Sequence, residues 1–535
     1  MKEEKFIGYI IGEASSSEFE FVTSKDIAPM KWDYLSITAS EQYNGREFDT
    51  EILAQVSEMY GTSKTATTET LPSIIQKQIE QNVLNVKIYG IAKILGYIDR
   101  STEKKTIRTP RKNRLPGEKV YIASDSLLSE FFSKREEQGL HIGSLLTNDR
   151  VKVYLDPNGL NRHLAIIAQT GAGKSYTAGV VIEELYTLGA SIVIIDPHSD
   201  YVFLSQKEDY SPFNRSEYIT VYRNPSSTGR YKKESIPNLK DYEINFGSLD
   251  LSEIAQISGI GEGMTRIKEV INRALSKIEE EYFPPKLLIE KLEEMYNEAT
   301  TIKEKGVIQT ALIRIRRILR YKVFGNNDIP IKDIIKPWSL TILDLSGLND
   351  KSMNYIASKI LNDAYNYILT EADFPIFIFV EEAHRFIPPY PNSTFCSQIV
   401  NTIAAEGRKF GLFLVLITQR PSKIAPDSLS QCNSQIIMKI TNPKDQNAIL
   451  ESSERATDDL LKNLPGLSPG EAIITGDIVK VPVMVSIRKR ITREGGADII
   501  ILDKLRQARE AREIKEDIEK ESKMRTNPSK NPFDR

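Results

Sequence analysis

Cysteine is almost missing from this chain, with only Cys396 and Cys432 among 535 residues. Neither belongs to a paired motif, which argues against a disulfide framework and against a thiolate zinc site. Histidine is nearly as scarce. His141, His163, His198 and His384 lie far apart, without the close spacing a transition-metal site needs. Long apolar runs are also lacking. A stretch such as Leu412 to Ile417 falls well short of the roughly 18 residues that suggest a membrane span, so no membrane helix is expected. The opening Met-Lys-Glu-Glu-Lys lacks the apolar core of a secretory signal, and a cytoplasmic protein is expected. Finally, there is no excess of charge of one sign. Lysine plus arginine number 71 against 73 acidic residues, a net charge of -2, so any nucleic-acid binding must use a local basic surface.

What is present describes a large soluble chain. Hydrophobic residues make up 40% and charged residues 27%, which is ordinary for globular protein. Single hydrophobic cores stop growing near roughly 250 to 300 residues, so two or three domains are expected. Residues 1–150 carry short β-type runs, Phe6 to Ile11, Phe19 to Thr23, Val86 to Ile98 and Lys119 to Ala123. That spacing predicts a small β-barrel or sandwich, with 47–60 and 69–82 reading as helical or loop-like.

From residue 151 the character changes. His163 to Ala168 and Ser191 to Ile195 are continuous apolar runs, the signature of strands buried on both faces of a parallel sheet. Further strand candidates are Leu340 to Leu345, Ile376 to Val380, Leu412 to Thr418, Gln435 to Ile440 and Glu471 to Thr475. The fold class expected is a small β-barrel followed by an α/β, RecA-like P-loop core. Residues 151–249 and 331–495 form the two parts of that core. A helical insertion occupies 250–330, with helical stretches at about 252–282 and 286–322 parted by Pro284-Pro285. A charged helix, Ile500 to Lys520, and a polar tail make up 496–535.

The chemistry begins at Ala168-Gln-Thr-Gly-Ala-Gly-Lys-Ser175. Gly171 and Gly173 let the backbone curl so that N–H groups converge on phosphate oxygens, and the following helix offers its positive end to the same anion. Lys174 is expected on the β- and γ-phosphates of ATP and Ser175 on Mg²⁺. The nucleotide-contacting set is Gly171, Ala172, Gly173, Lys174, Ser175 and Tyr176. Ala168 departs from the usual pattern, which has glycine there.

A second element is Phe377-Ile-Phe-Val-Glu381-Glu382, a buried strand delivering two carboxylates to its C-terminal end, the edge at which open α/β sheets bind ligands. Glu381 is expected to hold Mg²⁺, directly or through water, and Glu382 to polarise the attacking water. Alone, such a pair could instead begin a solvated helix. Gln419 ends another apolar strand and could sense the γ-phosphate, although solubility also asks for a polar strand end. Asp196, in Asp196-Pro-His-Ser-Asp-Tyr201, is either a third group near Mg²⁺ or a turn-initiating Asp-Pro. Arg408, then Arg162, are the candidates for an arginine reaching the γ-phosphate of a neighbouring subunit; each could instead be a surface residue. Arg314, Arg316, Arg317 and Arg320, on a helix expected from about Val307 to Tyr321, could face DNA or solvent.

Taken together, the P-loop, Asp196 to Tyr201, Phe379-Val-Glu-Glu-Ala-His-Arg-Phe-Ile-Pro388, and Gly407-Arg-Lys-Phe-Gly411 through Thr418-Gln-Arg-Pro-Ser422 resemble the HerA family. These are hexameric DNA-translocating ATPases related to the FtsK pumps. The resemblance covers most of the chain, since Phe6-Ile-Gly-Tyr-Ile-Ile-Gly12 is similar to the start of the family's barrel domain. It implies a homohexamer around double-stranded DNA that works with a NurA nuclease in double-strand break end resection. The barrel would face the nuclease, and ATP sites would lie between subunits. A protein- or conjugation-machine ATPase of the same superfamily is the alternative.

Overall fold

The structure is a computed structural model that describes residues 5–43, 46–100, 106–133, 138–453, 458–496 and 501–526. Its N-terminal part is built from β1 (Phe6–Ala14), β2 (Glu18–Thr23), β3 (Tyr34–Tyr43), β4 (Arg46–Thr62), β5 (Lys87–Asp99), β6 (Thr106–Arg108) and β7 (Lys119–Ile122). The strands lie in the order β2-β1-β7-β3-β4-β5-β6, and β2 also pairs with β5. That last pairing closes a barrel and removes the exposed edges an open sheet would leave. Ile7, Ile10, Phe19, Phe21, Leu35 and Val56 fill its interior.

Residues 47–60, expected to be helical or loop-like, instead belong to β4. Register shifts between Leu53 and Ala54 and between Val56 and Glu58 mark β-bulges, which insert an extra residue and bend the strand. Ile52, Leu53, Ala54 and Val56 are all buried, so the period of two that announces a strand is broken. The helical expectation over 69–82 is met by Pro72–Glu80.

The rest of the chain is organised on a second sheet of twelve strands: β8 (Leu140–Leu145), β9 (Asn148–Leu155), β10 (Leu164–Ile167), β11 (Ser191–Asp196), β12 (Ile219–Arg223), β13 (Leu239–Asp241), β14 (Leu340–Asp344), β15 (Ile376–Val380), β16 (Leu412–Thr418), β17 (Ser434–Ile437), β18 (Glu471–Thr475) and β19 (Val483–Ile487). The order is β13-β12-β14-β11-β15-β16-β10-β17-β18-β19-β8-β9. From β13 across to β17 every pairing is parallel, and from β17 to β9 every pairing is antiparallel. Glu471–Thr475 therefore joins the sheet as expected, but reversed. β8 and β9, which precede or straddle residue 150, hydrogen-bond into this sheet rather than into the barrel.

The parallel strands are buried on both faces, as their unbroken apolar runs predict. On β11, Ile192 and Ile194 enter one core and Val193 and Ile195 the other; on β16, Phe413, Val415 and Ile417 divide in the same way from Leu412, Leu414 and Leu416. The first core holds the helix Lys174–Thr187 and meets barrel residues Tyr34, Leu53 and Ile98. The second takes the insertion and the helix Asp350–Thr370.

The insertion contains the helices Leu251–Ile257, Thr265–Leu275, Pro285–Glu298 and Ile302–Ile315. Pro284-Pro285 opens the third of these helices, whereas the stretch expected to run to about 282 already ends at Leu275. Gly259, at φ +68°, adds a second break. Thr301 adds a third by accepting the Glu304 N–H at 3.3 Å as a helix N-cap. At the C-terminal end, Ile501–Thr526 is helical, with its side chains exposed from Ile501 to Glu519. The polar tail expected after it lies outside the described residues. Among the described residues, no helix is long and apolar enough to cross a membrane.

Candidate functional site

Parallel strands align their C-terminal ends along one edge of a sheet, where loops and helix N-termini converge. At that edge β10 runs into the turn 168–173 and then into Lys174–Thr187. Gly171 and Gly173 take φ +78° and +99°, values a side chain strongly disfavours. Ala168 is not one of the positive-φ residues, and its N–H donates to the Thr418 carbonyl at 3.2 Å. Ordinary backbone at that position explains why alanine serves where glycine is usual.

The loop forms one wall of a cleft of ≈ 880 Å³. Lys174 is buried and ion-paired with Glu381, and its Nζ lies 3.2 Å from Glu382 Oε1. The second oxygen of Glu381 accepts from the Tyr201 hydroxyl at 2.7 Å. Glu382 is held at φ +51°, a left-handed conformation costly for a glutamate, and its Oε2 lies 3.2 Å from His384 Nδ1. Burial opposes its charge, but His384 and Lys174 outweigh that and hold the carboxyl at about 2.

Ser175 Oγ donates to Asp200 Oδ2 at 2.9 Å, and Arg230 Nη1 lies 3.6 Å from Asp200 Oδ1. Asp196 sits deeper and does not line the cleft. It is fully buried and accepts the N–H groups of His198 at 3.1 Å and Tyr201 at 2.9 Å, closing the turn that carries Asp200. Burial, reinforced by the charges of Asp200 and Asp344, pushes the Asp196 carboxyl well above the carboxylate range. Behind it, Asp344 accepts from Ser199 Oγ at 2.9 Å and from Arg223 Nε at 2.6 Å.

Gln419 lines the cleft, where its Oε1 accepts from the Thr170 hydroxyl of the P-loop. Tyr176 lines it too, its hydroxyl accepting the Arg490 N–H at 2.6 Å. Ala172 is buried beneath, its carbonyl accepting the Gly470 N–H at 3.2 Å.

Asp200, Arg230 and a C-terminal strap were not singled out by sequence. The strap crosses the helix Lys174–Thr187, where buried Glu183 accepts the N–H groups of Ile491 at 2.9 Å and Thr492 at 2.7 Å. It thereby brings Glu494 and Gly496 to the cleft. Asp200 had a signal, being the second aspartate of the run that contains Asp196. Arg230 and the strap had none.

Arg408 and Arg162 lie elsewhere. Both are exposed and precede the N-terminal ends of the neighbouring strands β16 and β10, the edge opposite the cleft. Arg162 Nε is 3.8 Å from Asp477. The arginine group of the insertion does not share one helical face. Arg314 donates to the Gly259 carbonyl at 2.6 Å, Arg316 pairs with Glu293 at 2.6 Å, and the α-helix ends at Ile315 before a 3₁₀ turn over Arg316–Arg320.

The family model for the central domain of helicase HerA matches residues 140–364. A probable helicase of Methanocaldococcus jannaschii is 31% identical over 522 residues, covering 94% of each chain. The DNA double-strand break repair helicase HerA of Pyrococcus furiosus is 30% identical over 567 residues, covering 94% of this chain and 97% of its own. Among solved structures, the plasmid coupling protein TrwB with a non-hydrolysable ATP analogue superposes with a TM-score of 0.49 at 14% identity, over 70% of this chain and 94% of that one. Near-complete coverage at this level of identity, on a chain with this P-loop and this glutamate pair, places the protein in the HerA helicase family.

Proposed function

We propose that the chain is an ATP-driven translocase or helicase on double-stranded DNA, acting in break-end resection as a cytoplasmic homohexamer with a NurA-type nuclease. The observation that carries the hydrolytic part is the convergence of Lys174, Glu381 and Glu382 with Ser175 and Asp200 at one sheet edge. Family membership supports DNA as the load and repair as the setting.

In this reading the triphosphate of ATP lies on the N–H groups of Gly171 to Tyr176, and Lys174 exchanges Glu381 for phosphate oxygens. Ser175 and Asp200 are hard oxygen donors that already touch, which suits Mg²⁺. Glu381 completes that set, and Asp196 acts at one remove by shaping the turn that presents Asp200. Mg²⁺ held there would supply charge neutralisation on the triphosphate. Glu382 takes the proton of the attacking water, and Gln419 orients that water or reports the γ-phosphate through Thr170. Arg408, with Arg162 beside it, serves the cleft of a neighbouring copy, because its own cleft is at the other end of the strands.

ATP hydrolysis with and without double-stranded DNA, in the native chain and in Glu382→Gln, tests the proposal. DNA should stimulate the native rate, and the variant should lose at least about 10²-fold while still binding nucleotide. A rate indifferent to DNA would remove the motor. A variant of native activity would remove the assigned base.

A further inference from the structure

We infer that His384 is a positioning residue that holds the base Glu382 and ties it to the end of β16, where Gln419 reads the nucleotide. The inference rests on the hydrolytic reading above and deepens it. His384 Nδ1 lies 3.2 Å from Glu382 Oε2 and 3.3 Å from Thr418 Oγ1. Thr418 is the last residue of β16, and its hydroxyl also accepts the Arg420 N–H at 3.0 Å. One ring nitrogen therefore hydrogen-bonds to the residue that precedes Gln419 and lies at ion-pair distance from the base just past β15, whose buried Oε2 has no hydrogen-bond partner among the described residues. Gln419 is itself bonded to Thr170 of the P-loop.

The need for such a residue follows from the other partner of Glu382. Lys174 is 3.2 Å away, but Lys174 is the group a P-loop commits to phosphate. Once the ammonium turns to phosphate, the His384 imidazole, 3.2 Å away, is the side chain left to hold Glu382 among the described residues. The glutamate also needs holding, because its left-handed backbone is a conformation that persists only where the surroundings enforce it.

His384 is anchored from behind. The next residue, Arg385, is ion-paired with Asp350, and its carbonyl accepts from Asn354 Nδ2 at 3.2 Å. Ala383 and Phe386, on either side, are buried. The imidazole is thus delivered by a fixed turn and not by a mobile loop.

A carboxylate that acts as a base must sit within hydrogen-bond reach of its water, and a misplacement of about 1 Å costs on the order of 10²-fold in rate. His384→Ala should therefore lower kcat about 10²-fold, while KM and the affinity for a fluorescent ATP analogue stay within about twofold. His384→Gln, which keeps an amide donor for Glu382, should recover at least about 10-fold of that loss. The sharper measurement is the double variant. In a Glu382→Gln background, His384→Ala should cause no further loss, because its effect passes through the carboxylate. Native kcat in His384→Ala, equal rates for the Ala and Gln variants, or a full additional loss in the double variant would each overturn the inference. So would a parallel collapse of nucleotide affinity, which marks a structural role. Native activity in Glu382→Gln would instead sink the hydrolytic reading, so the two failures are distinguishable.

Discussion

The two edges of the parallel sheet are built on opposite plans. At the C-terminal edge the polar groups are buried or half-buried and already engaged with one another: Lys174 with Glu381 and Glu382, Tyr201 with Glu381, Ser175 with Asp200. At the N-terminal edge Arg162 and Arg408 stand in solvent. The 7 residues of β16 at about 3.3 Å each separate the edges by roughly 20 Å. One chain can preorganise the lysine, the base and the oxygen donors, because these fold onto adjacent strand ends. It cannot bring its own far-edge cations to the phosphates. A site complete on one side and cationic on the other suits an arrangement in which each copy serves its neighbour.

The comparison breaks most visibly if the far edge proves idle. Arg408→Ala should lower hydrolysis by about 10³-fold, as removal of an arginine finger does. Mixing Arg408→Ala subunits with Lys174→Ala subunits should restore activity, since some interfaces then pair an intact loop with an intact arginine. Two inactive variants that stay inactive when mixed would confine each site to its own chain. Arg162→Ala should lose less, because Asp477 already shares that guanidinium.

At the near edge, Asp200→Ala should raise the Mg²⁺ concentration for half-maximal hydrolysis by about 10-fold, with nucleotide binding in the absence of metal unchanged. An unaltered Mg²⁺ requirement would return Asp200 to a purely structural role beside Ser175.

The smallest expected effect lies between the two arginines. His163 Nδ1 accepts the Leu414 N–H at 3.0 Å, which leaves Nε2 to donate to the Ala404 carbonyl at 3.1 Å, so the ring is neutral. Burial pushes its pKa down, and the Arg408 charge adds to that. The unfolded chain therefore takes up the proton first, at about 6.5. Stability from this group is complete above that pH and is lost as the pH falls toward the lowered folded value. His141 and His198, also lowered by burial, act in the same direction. The Tm should fall between pH 7 and pH 5, with a shallower slope in His163→Gln. Equal slopes would show that the imidazole is not held neutral.

Much of this arrangement was legible in the residues. The apolar runs of β10, β11, β14, β15 and β16 announced strands covered on both faces, and their alternate residues do enter two cores. The P-loop and the ends of β15 and β16 were legible because each is a local pattern. Other features were hidden for physical reasons. β4 was obscured because two bulges break its alternation. β12 was missed because Ile219–Arg223 carries Thr220 and Arg223 and so offers no unbroken apolar run.

The amino-acid sequence by itself determined the phosphate loop, the carboxylate pair and the sheet that presents them, because glycine backbone freedom and strand burial act over a few neighbouring residues. Tertiary structure alone decided the rest. It put Asp200 and not Asp196 against Ser175, since hydrogen bonds to the turn consume the first carboxylate. It drew the segment around Thr492 onto Glu183, far away in the chain, and so set a cleft wall. It sent Arg408 to the far end of β16, away from the cleft of its own chain, because parallel strand direction, which no single segment can specify, decides at which edge of the sheet a residue before a strand stands.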